Sequence, residues 1–484
     1  MAKSKYLTAP TNTDKMPAGI PYIVGNEAAE RFSYYGMKTI LVIFLTQYLR
    51  DVSGNLDVMD EATAKAWYHN FLASAYFFPV MGALISDLWL GKYRTIILLS
   101  IVYCLGHLVL ALFETREGVM WGLALIAIGA GGIKPCVTAH VGDQFGKSNS
   151  HLINKVFGWF YWSINFGAFI STILTPILLV KYGSHWAFGV PGILMFLATI
   201  VFWMGRHKFV HIPADPKGFK AELSGSSGLK PIFKLVVLYI FISMFWAVYE
   251  QNGSEWVLQA KHMDLRLMGM VVHPAQIQAI NPILVLIYIP LFSYVIYPAM
   301  AKFFPMTPAR KVAVGLLLVL PVLAVVVHVE NLIQDHEKSQ KTAIVELAVV
   351  DEGAASETGD DLSRFDGRPS ILWHILAYTI LTAAEVMIYQ TGLEYAYTQA
   401  PKALKSFMMS FYLLSVSLGN FFTAGVNKWN DLGDGLTRMN RVEYNMFFFW
   451  VVLGTASLFI IVSLFGVFKE KNILQDESTG ESDS

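Results

Sequence analysis

Apolar residues gather into twelve long stretches, near 19–49, 63–88, 95–113, 119–141, 155–180, 186–205, 235–260, 276–298, 312–328, 371–398, 406–425 and 444–468. A helix crossing a bilayer needs about 20 mostly apolar residues. A single such stretch would be an ordinary buried helix. Twelve in one chain predict an all-α polytopic membrane protein. An even number of crossings leaves both termini on one side. Lys and Arg are richer in the loops on that side, and acids are richer in the loops opposite. The positive-inside rule then predicts cytoplasmic N- and C-termini.

The polar segments divide the chain further. Residues 1–18 lack an apolar core, which predicts a cytoplasmic tail rather than a cleaved signal peptide. Residues 206–234 read as a basic cytoplasmic linker containing the flexible run SGSSG at 224–228. It separates two six-helix bundles, 19–205 and 235–468. That is a transporter plan in which the substrate site lies between the halves. No strong sequence repeat relates the halves, so this expectation rests on counting crossings. Residues 329–369 read as an acidic outside loop, with DEGAASETGDD as its mobile part, and 469–484 as a disordered cytoplasmic tail.

Composition narrows the classes. Hydrophobic residues are 55% of the 484 and charged residues 15%, whereas soluble domains carry about a quarter charged. An ordinary soluble enzyme is therefore excluded. Lys+Arg and Asp+Glu are 36 each, so no basic excess supports nucleic-acid binding. The two cysteines, Cys104 and Cys136, lie in apolar runs and form no metal or disulfide framework. HExxH, EF-hand and GxSxG patterns are absent, and the histidines lack metal-ligand spacing. No catalytic set, metal or organic cofactor is predicted.

The informative residues are charges inside the apolar stretches. Arg31, Lys38 and Lys134 fall there, and a charge at mid-membrane costs about 2.5–3.5 kcal/mol on insertion scales. Such groups face a bundle interior or an aqueous cavity. Their candidate partners are Glu27, Glu30, Glu250 and Glu385, while Glu255 and Glu394 lie nearer helix ends and read as structural pairs. On the first helix, Glu27, Glu30, Arg31, Tyr34 and Lys38 share an arc of roughly 100°. Glu27 and Arg31 are i,i+4 neighbours able to pair. Acids beside a cation that is sometimes free and sometimes occupied are what a movable proton requires.

Other helices add to this set. GAGGIKPCV (129–137) has no preceding strand, so a phosphate loop is excluded. Gly129, Gly131 and Gly132 predict close helix packing, Pro135 a distorted helix, and Lys134 a side chain aimed into the cavity. His69 and Tyr76 share a face, as do Trp246, Glu250 and Gly253, and Glu385, Tyr389 and Gly392. Tyr161 with Asn165, and Asn281 before Pro282, supply further polar groups. Singly these are ordinary packing residues. Their recurrence on helices of both halves favours one central site.

Glu27-Ala-Ala-Glu30-Arg31-Phe32-Ser33-Tyr34-Tyr35-Gly36 resembles the ExxERFxYYG signature of the proton-coupled oligopeptide transporters. The resemblance continues through GALISDLWLGKYRTI (82–96), GAGGIKPCVTAHVGDQF (129–145), FYWSINFGAF (160–169), MFWAVYEQNGSEWVLQA (244–260), QIQAINP (276–282) and TGLEYAYTQAPK (391–402). It implies a major-facilitator fold of 12 transmembrane helices and proton-driven import of di- and tripeptides. The implied proton-coupling residues are Glu27, Glu30, Arg31, His69 and Glu250. The implied peptide site is Arg31, Tyr34, Tyr35, Lys38, Tyr76, Lys134, Asn165, Trp246, Asn281 and Glu385. Lys134, Arg31 and Lys38 would take the peptide carboxylate, and Glu385 its amino group. Lys38 and Glu250 form the implied gating pair. Lys38 stands where the family often has arginine, and Tyr412 where it often has tryptophan, so side-chain selectivity follows less directly.

The partners this implies are a short peptide, protons as the coupling ion and the lipid bilayer, with the single chain as working unit in a cell membrane. A nitrate or small-anion carrier of the same family is the nearest alternative, and the intact ExxER motif speaks against it. A non-transporting nutrient sensor is a second, weakened by the short soluble segments.

Overall fold

A computed structural model describes residues 6–217, 229–348, 365–399, 405–433 and 435–468. Among these, twelve long helices follow one another. They are α1 (Ile20–Gln47), α2 (Glu61–Ile85), α3 (Lys92–Leu112), α4 (Arg116–Asp143), α5 (Ile153–Tyr182), α6 (Ser184–Met204), α7 (Leu229–Tyr249), α8 (Ile280–Leu291), α9 (Pro308–Ala348), α10 (Leu372–Gln399), α11 (Lys405–Asn430) and α12 (Arg441–Leu464). Ten helical segments are long and apolar enough to cross a membrane. The exceptions, α1 and α11, have the length but carry more polar residues. In α1 these include Glu27, Glu30, Arg31 and Lys38, all buried.

The outward faces are apolar, and α3 illustrates them. Leu98, Ile101, Leu105, Leu108 and Leu112 recur at helical spacing and are each about half exposed. In water this would be a large unfavourable patch; against lipid chains it has no such cost. Polar residues gather inside instead, so α1 is enclosed: Ile40 to Leu45 are essentially inaccessible.

Each half has its own core, and the halves pack alike. In the first half α3 packs on α4 and α6, α2 on α4, and α1 on α5. In the second, α9 packs on α10 and α12, α8 on α10, and α7 on α11. The pairs that join the halves, α2 with α11 and α5 with α8, correspond under the same shift of six helices. This is a parallel structural repeat of the kind seen in transporters built from two six-helix halves. It is present in the packing although the sequence shows no strong repeat.

Glycines permit the tightest approaches. A methyl group on Gly82 of α2 would lie 2.2 Å from the Gly132 carbonyl oxygen of α4. Gly129 similarly faces Tyr103 and Leu99 of α3, as the sequence predicts. Polar caps set several helix starts: Asp60 accepts from the Thr63 amide at α2, and Asn440 forms a capping box with Glu443 at α12.

Several expected boundaries move. The apolar stretch 312–328 is only the first half of α9, which runs on to Ala348. Residues 329–348 are therefore helix rather than loop, because the heptad-like apolar residues Val329 and Ile333 continue to bury on the core side. The seventh crossing breaks after Tyr249: a tight turn, Glu250–Gly253, precedes a short helix, Glu255–Ala260. The eighth begins as a 3-10 segment, Pro274–Ala279, and loosens into a π-helical turn at Phe292–Ile296 before a last turn, Tyr297–Ala301. Pro135 does not interrupt α4, which stays helical across it. SGSSG, DEGAASETGDD and the tail 469–484 lie outside the described residues.

Candidate functional site

The polar face of α1 forms the expected cluster. Arg31 Nε donates to Glu27 Oε1 at 2.7 Å. It also lies 2.8 Å from Glu30 Oε2, an ion-pair approach without hydrogen-bond geometry. Two carboxylates thus share one guanidinium, and Glu30 is wholly buried with no hydrogen-bond donor to it. Gly167 of α5 admits this cluster, since a Cβ there would meet the Ala28 carbonyl and the Arg31 side chain.

Lys134 of α4 has no carboxylate partner within ion-pair distance among the described residues. Its ammonium is buried and makes no hydrogen bond. It lies 4.2 Å from the ring centroid of Tyr34 and 4.0 Å from that of Tyr76. Two aromatic faces stabilise a cation by roughly 0.5–2 kcal/mol each while leaving its N–H donors unused. Donors held this way suit an incoming anionic group. Tyr35, Tyr76 and Lys134 all keep some accessible surface in the middle of the bundle.

On the second half, Glu385 of α10 is partly accessible. Asn281 Nδ2, at the start of α8, donates to Glu385 Oε2 at 2.7 Å and to Thr382 Oγ1 at 3.1 Å. The Tyr249 hydroxyl donates to Asn281 Oδ1 at 3.3 Å. Tyr35 and Tyr161 of the first half lie within electrostatic reach of Glu385 and Tyr389. Trp246, Tyr389 and Tyr412 pack as an aromatic group beside it, with Trp246 to Tyr389 at 6.2 Å and Tyr389 to Tyr412 at 5.5 Å. Tyr412 is fully buried, so it backs the other two rings.

A third group of contacts joins the halves at the end where α1 finishes and α2 begins. Lys38 Nζ meets Glu250 Oε2 at 2.5 Å. Lys65 Nζ meets Glu255 Oε2 at 2.6 Å and sits over the Tyr444 ring at 4.3 Å. Both pairs are buried. His69 lies between them. Its Nδ1 is 2.7 Å from Asn420 Oδ1 and its Nε2 2.9 Å from Ser254 Oγ. An amide oxygen only accepts, so Nδ1 carries the proton and, in the neutral ring, Nε2 accepts from the Ser254 hydroxyl. Glu61 pairs with Arg441 and Lys261, Ser417 Oγ donates to the Ala73 carbonyl at 2.7 Å, and Gln276 Nε2 to the Ile173 carbonyl at 2.9 Å.

Two predicted residues sit differently from expectation. Asn165 is buried and donates to the Tyr161 carbonyl one turn back, which engages one of its two amide N–H groups within α5. Asn281 holds Glu385. Sequence reasoning passed over Lys65, which lies near the end of an apolar stretch, and Tyr249, which looks like one more aromatic beside Trp246. The i,i+3 spacing of Trp246 and Tyr249 was the available signal. His69's partners, Asn420 and Ser254, carry no sequence signal, because the pairing exists only across the halves. The Glu394 side chain lies outside those described. Cys104 and Cys136 are free thiols.

Comparison with known proteins agrees with this architecture. The family profile PTR2, described as the POT family, matches residues 93–225 and 221–434. Peptide transporter family 1 of Drosophila melanogaster is 39% identical over 62% of this chain and 46% of its own length. Solute carrier family 15 member 2 of Homo sapiens is 38% identical over 67% of this chain and 50% of its own. The chain spans about half the length of the curated relatives it matches. Among solved structures, that of the POT family transporter PepTSo superposes with TM-score 0.77 at 32% identity, covering 94% of this chain and 99% of that one. An auto-inhibited POT family peptide transporter gives 0.76 at 30%, covering 94% and 98%.

Proposed function

Because the chain belongs to the POT family, and so is a multi-pass membrane protein of the major-facilitator type, we propose that it is a proton-coupled symporter importing di- and tripeptides by alternating access. The observation that carries this reading is the unpartnered Lys134 ammonium on one half, set against the accessible Glu385 carboxylate on the other. A zwitterionic peptide has opposite charges at its two ends and a polar backbone between. Its carboxylate suits Lys134 and Arg31, and its ammonium suits Glu385. Tyr34, Tyr35, Tyr76 and Trp246 furnish the walls. Binding that bridges both halves favours the state in which they close on it.

With both termini in the cytoplasm of a cell membrane, as the charge bias of the loops supports, the end joined by Lys38–Glu250, His69 and Lys65–Glu255 faces outside and is closed. Protonation of Glu250 removes the charge that holds Lys38. A second proton on His69 forces Ser254 to switch from donor to acceptor. Both changes weaken the outer seal. On α1, a proton on Glu27 or Glu30 leaves Arg31 with one carboxylate partner and frees it for the peptide. The proton serves as coupling ion without a cofactor or chemical conversion, and the single chain is the working unit. Each charge that crosses a membrane potential gains about 2.3 kcal/mol per 100 mV, so import of a neutral peptide with protons responds to pH gradient and voltage alike.

The test is dialanine uptake into liposomes containing the purified protein, under an inward proton gradient and a negative interior. The reading expects accumulation that collapses with a protonophore and is competed by dipeptides, not by nitrate or free alanine. Nitrate competition would move the assignment to an anion carrier. Binding without flux would move it to a sensor.

A further inference from the structure

Glu385 can receive an ammonium well only if its carboxylate is held in one orientation with an oxygen left free. Asn281 provides the hold at 2.7 Å, but an amide can rotate and present its oxygen instead. That oxygen would repel a carboxylate. What fixes the amide is its other end. Oδ1 only accepts, and the hydroxyl 3.3 Å away belongs to Tyr249. With Oδ1 engaged there, Nδ2 must face Glu385 and Thr382. Tyr249 is itself fixed by ring contacts, at 5.0 Å to Trp246 and 5.6 Å to Phe245. It is also the last residue of α7, and its chain neighbour Glu250 holds Lys38.

We propose that Tyr249 is a positioning residue for amino-terminus recognition: through Asn281, and through its own hydroxyl's hydrogen bond to Glu385, it orients that carboxylate so that one oxygen is presented to the peptide ammonium. This rests on the reading that Glu385 receives that ammonium. Phenylalanine would preserve the ring packing and remove only the hydroxyl, leaving Oδ1 without its donor and the amide free to turn.

The test compares dialanine with propionyl-alanine, which lacks the amino group, as competitors of labelled dialanine uptake in proteoliposomes. Tyr249→Phe is expected to raise the dialanine KM about five-fold, the loss expected for one hydrogen bond, with a smaller effect on kcat. The preference for dialanine over propionyl-alanine should fall by a similar factor. Asn281→Ala should erode that preference too, and adding Tyr249→Phe to it should cost less than Tyr249→Phe alone, because the two share the Asn281 link while the Tyr249 hydroxyl also reaches Glu385 directly. Equal weakening of both competitors would show a purely structural role and overturn the inference. So would a full preference in Tyr249→Phe while Glu385→Gln abolishes it, which leaves the pocket reading intact. A full preference in Glu385→Gln would overturn the pocket reading and the inference together.

Discussion

The charged side chains are stabilised in unequal ways. Lys38 and Glu250 form an ion pair, whereas Lys134 lies over two ring faces with no carboxylate within ion-pair distance among the described residues. A hydrogen bond to a charged group contributes about 1.5–3 kcal/mol, and each 1.4 kcal/mol is tenfold in affinity. Lys134→Ala and Glu385→Gln are each expected to weaken dialanine binding by roughly 10- to 100-fold, read as KM in uptake. Glu30→Gln is expected to act differently. It keeps one neighbour of Arg31 neutral, so peptide exchange across the membrane without a gradient should persist while accumulation driven by a pH gradient is lost. Loss of both activities together would remove Glu30 from the coupling role.

At the level of helices, contact between α2 and α4 and between α7 and α11 depends on missing side chains. A Cβ on Gly82 would meet the Gly132 carbonyl at 2.2 Å, and one on Gly419 the Ser243 carbonyl at 2.3 Å. Backbone carbonyls cannot move aside without shifting the helix. Gly82→Val or Gly419→Val should therefore lower stability by about 1–3 kcal/mol, as overpacking does. Thermal unfolding of the detergent-purified protein checks this. Gly158 of α5 is the control: nothing lies within 4 Å of its Cβ position. Gly158→Ala should leave stability unchanged or raise it, since alanine favours helix by about 1 kcal/mol. The GAGG run was legible as a packing surface because close approach in membranes selects small residues. The breaks at Glu250–Gly253 and Pro274–Ala279 were not, because polar runs such as EQNGSE suit the interior face of a continuous helix as well as a turn.

For the whole molecule, two buried ion pairs join the halves at one end. Removing one partner of such a pair costs about 3–5 kcal/mol through the charge left behind. Lys65→Glu should open the sealed end, raising the distance between probes placed on the ends of α1 and α7. Adding Glu255→Lys should restore closure, a coupling that a double-mutant cycle reads directly. If the double variant stays open, the pair does not hold the halves.

Sequence alone determined the class, the number of long helices, the polar face of α1 and the residues Arg31, Lys38, Lys134, Glu250 and Glu385. The reason is that lipid makes each intramembrane charge costly, so its presence in an apolar stretch is informative without coordinates. Sequence also sufficed for Glu27 with Arg31, because i,i+4 spacing is local. The tertiary structure alone decided the pairings of Lys65 with Glu255, and of His69 with Asn420 and Ser254, and it supplied the distance at which Lys38 and Glu250 meet. It also decided that Lys134 stays unpaired and that Asn281 serves Glu385. These partners are far apart along the chain, and their distances are set by how two bundles meet, which no local period encodes.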